Sequence, residues 1–260
     1  MIKLQKSGQP WGRGMRALVG NIGVAVLALS LGACASGPAV EGELVADPYE
    51  STNRSIHEIN KGLDQAILRP ASKAYDVATP TLFKHLFGNA MSHLELPGIF
   101  VNQMLQGDAE EAIATFGRFT VNTIYGAGGT LDPATDVGLP KESTDFGLTL
   151  ASWGVDEGVY IELPLLGPTT TRGAVGSLVD IAFQPTTYIS GGTEVVIASA
   201  TVRALDIVDS RNRRGVLIDD LLYRSEDSYV SLRANYIQNR RRRASGGETD
   251  VDSLPDLFSN

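Results

Sequence analysis

The residues able to do chemistry are few and scattered. Three histidines (His57, His85 and His93) are present, and no two lie four apart on a helix, so no zinc-binding pair is indicated. There is no G-x-S-x-G elbow, no H-E-x-x-H and no phosphate loop. Asp132, Asp136, Asp145 and Asp180 could in principle make an acid–base pair. No aromatic-rich cleft pattern surrounds them, and turn and helix-cap roles account for them better. Gly126-Ala127-Gly128-Gly129 has the composition of a phosphate-cradling loop but follows a helical pattern instead of a strand, the wrong context for a dinucleotide. The sequence predicts no catalytic residue, no metal site and no cofactor.

One reactive group remains. Cys34 is the only cysteine in 260 residues. Lys3, Lys6, Arg13 and Arg16 precede an apolar run over Ala17–Leu31, and small residues follow it. A positive start, a short apolar stretch and a small-residue site make a secretory signal, too short to serve well as a bilayer span. Leu31-Gly32-Ala33-Cys34 resembles the bacterial lipobox, in which the thiol receives a diacylglyceryl group and becomes the new N-terminus. A plain signal peptide, or an N-terminal membrane anchor with an incidental cysteine, is the alternative. The boundaries read as residues 1–33 for the signal and 34–46 for a lipidated, Gly-containing tether. Each methylene of an acyl chain contributes about 0.8 kcal/mol on burial, so a multiply acylated terminus is a strong membrane anchor.

The full chain carries a formal charge of −8, and loss of the cationic signal makes the remainder more acidic. Such a chain does not suit nucleic acid or anionic headgroups. With Cys34 acylated no thiol is left for a disulfide, so packing must supply the stability.

Periodicity predicts a mainly α-helical single domain over 47–238. Asp47-Pro48-Tyr49-Glu50 reads as N-cap, N1 proline and the return half of a capping box. Ile56, Ile59, Leu63 and Ile67 then line one face of a helix that ends before Pro70. A short helix over Ala71–Val77 closes at Thr79-Pro80, and a segment with Leu82, Phe83, Leu86 and Phe87 stops at Gly88-Asn89. A further helix after Pro97 stops at Gly107, and Asp108 starts the next, forming an αα-hairpin. Residues 130–168 are irregular and rich in Gly and Pro, with one short strand at Val159–Leu163. Helical patterns return at Thr171–Ile181, Glu194–Val208 and Asp227–Ile237. Arg240–Arg243 reads as a solvated basic run leading into a disordered tail, 239–260.

Several separate words of the sequence carry a family likeness. DPYESTNRSIHEINKGLD from Asp47, LPGIFVNQMLQGD (96–108), RFTVNTIYGAGGTLD (118–132), TDFGLTLASWGVDEGVYIELPLLGPTTTR (144–172) and SEDSYVSLRANYIQNRR occur in the order of the MlaA/VacJ lipoproteins, which the chain resembles. Ile59, Gly173 and the Arg240–Arg243 run depart from the usual pattern. The resemblance implies a non-enzymatic outer-membrane lipoprotein of a Gram-negative bacterium, lipid-anchored and set as a helical ring in the periplasmic leaflet. It implies phospholipid as cargo, a trimeric porin as partner and handover to a periplasmic carrier of the Mla type. It also implies an amphipathic channel that removes misplaced phospholipid and so maintains lipid asymmetry. Gly126, Gly128, Gly129, Asp132, Gly147, Pro164, Gly167 and Pro168 are the candidates for its gate or wall. Stiffening Gly128 or Gly129 with proline is then expected to impair lipid removal at normal protein level. A porin-associated structural lipoprotein without a lipid path is the alternative, and an envelope hydrolase is a third reading that lacks a nucleophile motif.

Overall fold

The computed structural model describes residues 45–188 and 193–246. Cys34, the signal, most of the tether and residues 247–260 lie outside them. The architecture is mainly α, as the periodicity predicts, with one small sheet. Ten helices are described: α1 (Glu50–Leu63), α2 (Arg69–Ala78), α3 (Thr81–Gln106), α4 (Ala109–Ile124), α5 (Pro133–Asp136), α6 (Phe146–Ser152), α7 (Thr171–Phe183), α8 (Thr193–Arg213), α9 (Gly215–Asp219) and α10 (Ser228–Ala244). β1 (Tyr160–Leu163) and β2 (Gly167–Thr170) form an antiparallel hairpin in which Tyr160 faces Thr170 and Leu163 faces Gly167. Among the described residues no helix is long and apolar enough to cross a membrane.

Local rules place most of the punctuation. Thr79 turns extended before Pro80 and separates α2 from α3. Gly107 takes the left-handed conformation (φ 82°) that ends α3, and the Asp108 carboxylate accepts from Glu111 N to begin α4. Asp145, Thr170 and Asp227 cap α6, α7 and α10 in the same way.

Four expectations are corrected. The first helix does not end before Pro70: a π-helical turn over Asp64–Leu68 carries it into α2. Proline has no N–H to donate to its i−4 carbonyl and its ring must avoid that carbonyl, and the widened turn, closed by Arg69 N to Asp64 O, accommodates both. Gly88 and Pro97 do not interrupt α3, which runs 26 residues through both. Gly88 is a seat instead of a stop, because a Cβ there would lie 2.6 Å from Arg213 Nη1. Asp47 is not the N-cap of α1, whose cap, Tyr49, makes no side-chain bond. Arg240–Arg243 form the last turn of α10, with Arg240 buried. The segment 130–168 also holds two short helices, α5 and α6, that periodicity over four to seven residues could not reveal.

Packing follows from these elements. α4 lies along α3, α7 along α6, and α2 along α8, while α10 reaches both α6 and the hairpin. The apolar core is small, centred on Val45, Tyr160, Tyr229 and Ile237. Among the described residues, buried polar and charged side chains outnumber buried apolar ones. Large apolar side chains are instead exposed along most helices and at their ends and turns, including Val77 (89%) and Ile113 (72%) on helices, Tyr125 (74%) at the end of α4 and Leu166 (80%) at the hairpin tip. This is the reverse of the usual distribution in a water-soluble domain.

Candidate functional site

The structure distributes the eight gate candidates over three places. Gly126, Gly128, Gly129 and Asp132 form a tied turn after α4. Gly129 N donates to Asn122 O (2.9 Å), Leu131 N to Gly126 O (2.9 Å) and Gly128 N to Thr123 O (3.2 Å). Gly126 has no room for a Cβ, which would lie 2.5 Å from Asn122 O. Gly128 and Gly129 have φ of +70° and +89°, and a Cβ on Gly129 would meet the His93 ring at 2.2 Å. Proline, locked near φ −65°, cannot sit at either position, so the proline substitutions would break the turn and not merely stiffen it. Asp132 fastens this turn to α4. Its carboxylate accepts from buried Arg118 Nη2 on both oxygens (2.7 and 2.8 Å), from Asn122 Nδ2 (2.8 Å) and from Thr135 Oγ1 (2.7 Å). Burial works to raise its pKa, but the bonds from Thr135, Asn122 and Arg118 prevail and hold it below the usual carboxylate value.

Gly147 lies where α6 crosses α7. Its Cβ would lie 2.6 Å from Arg240 Nη2, and a Cβ on Gly176 would strike Gly147 N at 2.3 Å. Pro164, Gly167 and Pro168 belong to the hairpin. Its tip residues, Leu165 and Leu166, are exposed, and Asn60 of α1 grips it by donating to Leu163 O (3.0 Å) and accepting from Leu165 N (2.8 Å).

Two dense polar clusters knit the helices together. In the first, His57 of α1 is 1% exposed and contacts Glu162 of β1 through Nδ1 (3.2 Å to each oxygen) and Ser228 Oγ of α10 through Nε2 (2.9 Å). Lys61 Nζ donates to the same Ser228 oxygen (3.1 Å). Serine, histidine and glutamate stand in the order of a hydrolytic triad, but the imidazole is sealed from solvent and the serine oxygen is already engaged twice. The cluster joins α1, the hairpin and α10. Asp47 extends it, accepting from Asn53 Nδ2 (2.8 Å), Arg233 Nη1 (2.6 Å) and Tyr229 Oη. In the second, Arg211 of α8 donates Nε and Nη2 to the two Asp64 oxygens (2.7 and 3.0 Å) and Nη2 also to Asp219 (2.6 Å). Tyr223 Oη donates to Asp64 (2.7 Å), and the Tyr223 pKa is pushed up to about 12 by burial and by that carboxylate. Histidine burial could not be read from sequence, because both His57 and His93 look like ordinary helix-surface residues there.

The residues that sequence reasoning did not assemble line an open cavity of about 230 Å³. It lies between Glu95–Asn102 of α3, Ser143–Asp145 before α6, Asp180–Gln184 at the end of α7, and Arg243 of α10. Asp145 is fixed by two bonds from Arg240 and stays below the usual carboxylate range because that guanidinium outweighs burial. Asp180 accepts from Asn102 Nδ2 (3.0 Å) and Phe146 N (3.0 Å), yet burial leaves its pKa raised. Glu95 has no hydrogen-bond or ion-pair partner among the described residues. The surrounding protein and Asp206 raise it, while Lys141, Arg213 and Arg214 hold it partly down. Arg243 donates to Ser143 O (2.9 Å) and lies 3.7 Å from Asp145, which leaves most of its donors unused. The faint sequence signal for this site is a charged Glu95 between Leu94 and Leu96 in an apolar helix.

Comparison with known proteins identifies the family of the chain. Residues 45–243 match the family described as MlaA lipoprotein. The chain is 32% identical over 234 residues to the intermembrane phospholipid transport system lipoprotein MlaA of Escherichia coli K12, covering 87% of this chain and 89% of that protein. It is 31% identical over 218 residues to the protein of the same name from Haemophilus influenzae, covering 81% of this chain and 84% of that one. A solved structure reported under "Structural basis for maintenance of bacterial outer membrane lipid asymmetry" superposes with a TM-score of 0.67 at 32% identity, over 76% of this chain and 99% of that one.

Proposed function

The chain belongs to the MlaA lipoprotein family, and from that premise we propose that it removes mislocalised phospholipids from the outer leaflet of the outer membrane. The lipid passes through an amphipathic channel to a periplasmic carrier of the Mla type, which maintains lipid asymmetry. In this reading Cys34 carries the acyl anchor, the helical body sits in the periplasmic leaflet, and a trimeric porin holds it there. The turn at Gly126–Asp132, the crossing at Gly147 and the hairpin with Pro164, Gly167 and Pro168 shape the channel wall. No bond of the cargo changes, so the function needs no nucleophile.

The observation that carries this reading is the inverted polarity of the body. Side chains such as Val77, Leu82, Phe83, Ile113 and Phe116 face outward, while Asn102, Asp180, Arg211 and Glu162 face inward. An apolar exterior is stable against acyl chains and costly against water. The polar groups that line the open cavity, Asn102 and Asp180 among them, lower the large cost of moving a charged headgroup through hydrocarbon.

The test is outer-leaflet phospholipid labelling in a deletion strain, complemented with the wild-type and Cys34→Ala chains. Raised surface phospholipid that only the acylated chain restores is the expected result. Unchanged surface phospholipid in the deletion strain would overturn lipid removal and leave the porin-bound structural role.

A further inference from the structure

We propose that the cavity between α3, α6, α7 and α10 is a headgroup site selective for amine-bearing, zwitterionic phospholipid, with Arg243 meeting the phosphate and Glu95 and Asp180 meeting the ammonium. The proposal rests on the lipid-transfer reading and names its preferred substrate.

Three features lead to it. The first is size. About 230 Å³ far exceeds the share of one water, about 30 Å³ in the liquid, yet is too small to enclose a whole phospholipid. It therefore fits a headgroup whose chains lie elsewhere. The second is the charge inventory. Asp145 is already matched by Arg240, and no ion pair engages Glu95 or Asp180 among the described residues. Arg243 is the cation in the lining with donors to spare, and a guanidinium suits phosphate oxygens. Lys141, Arg213 and Arg214 act on Glu95 from outside the lining without bonding to it; within the lining, one guanidinium and two carboxylates held in no ion pair complement a ligand with one phosphate and one amine. An anionic headgroup without the amine would face the carboxylates unmatched, which disfavours it. The third is the setting. Leu94 and Met104 on α3 and Leu178 and Ile181 on α7 are exposed on the helices that carry the charged lining, so apolar surface for acyl chains adjoins the polar cavity.

The test uses the full-length protein. Purified chain is equilibrated with vesicles of equal phosphatidylethanolamine and phosphatidylglycerol with matched acyl chains, re-isolated, and its bound lipid measured by mass spectrometry. The wild type should retain the ethanolamine lipid with an enrichment of about threefold or more. Glu95→Gln should abolish the enrichment, Glu95→Lys should reverse it toward the glycerol lipid, and Arg243→Gln should lower retention of both. Glu95 is exposed on one helix face, so its variants fold, and circular dichroism checks all three, including Arg243→Gln. Retained lipid that mirrors the vesicles, or enrichment that survives Glu95→Lys, overturns the headgroup site and leaves the transfer reading intact. No lipid retained by any version overturns both. Water-soluble glycerophosphoethanolamine binding as tightly as the lipid would overturn the assignment to a membrane lipid.

Discussion

The clusters around His57 and Arg211 lie inside the fold and the cavity beside Glu95 opens to the surface; all three are polar, and they differ in partnership. In the clusters each charge meets its complement: Asp64 receives two bonds from Arg211 and one from Tyr223, and His57 is held at both ring nitrogens. In the cavity Glu95 faces open space and Asp180 is held only by an amide side chain and a backbone N–H. A satisfied network fixes helices that have little apolar core to hold them. A charge left without a partner at an open cavity is available to a complementary ligand. The fold thus keeps its cohesion and its recognition in separate places.

Substitutions should respect that division, the largest losses falling in the clusters. Arg211→Ala strands the buried Asp64 and should cost about 3–5 kcal/mol in thermal or denaturant unfolding of the detergent-solubilised chain. A loss under about 1 kcal/mol would mean the cluster is not what joins the π turn after α1 to α8. Asp132→Asn leaves Arg118 buried without its charge partner and should cost about 2–3 kcal/mol by the same measurement. Gly129→Ala must accommodate both the left-handed backbone and the His93 ring, and should cost about 1–3 kcal/mol.

An acid titration separates the regions by sign. Asp132 and Asp145 are held below the ordinary value of 3.8, so they stabilise the fold above it, and that stability is lost as pH falls through their folded pKa values. Glu95 and Asp180 are raised above 4.5 and 3.8, so the folded state binds protons first and gains stability as pH falls through that window. Melting temperature should rise slightly on mild acidification and then fall. Glu95→Gln with Asp180→Asn should remove the rise, and persistence of the rise in that variant would contradict the assignment to these carboxylates. Glu95→Gln alone should change stability least, within about 0.5 kcal/mol, while altering the bound lipid.

The sequence was legible wherever local chemistry decides. Pro80, Gly107 and Asp108 punctuate the helices as their side chains and backbone preferences require. It misled where a distant partner prevails. Gly88 reads as a stop, but Arg213 from α8 packs against its bare Cα inside a continuous helix. Asp47 reads as a cap, but Tyr229 and Arg233, far along the chain, claim its carboxylate. Arg240 reads as solvated, but Asp145 draws it inside. Seven of the eight gate candidates, Asp132 apart, are glycines or prolines, a composition that records backbone shape and says nothing of which residues meet across a cavity.

By itself the sequence determined the helical class, most helix ends and the family, because periodicity, caps and shared words are local properties of the chain. Only the tertiary structure decided which polar residues are buried, which charges are paired and which remain open beside Glu95. Burial and pairing depend on what the fold brings within a few ångströms, and residues as far apart as Glu95 and Arg243 carry no mark of that meeting along the chain.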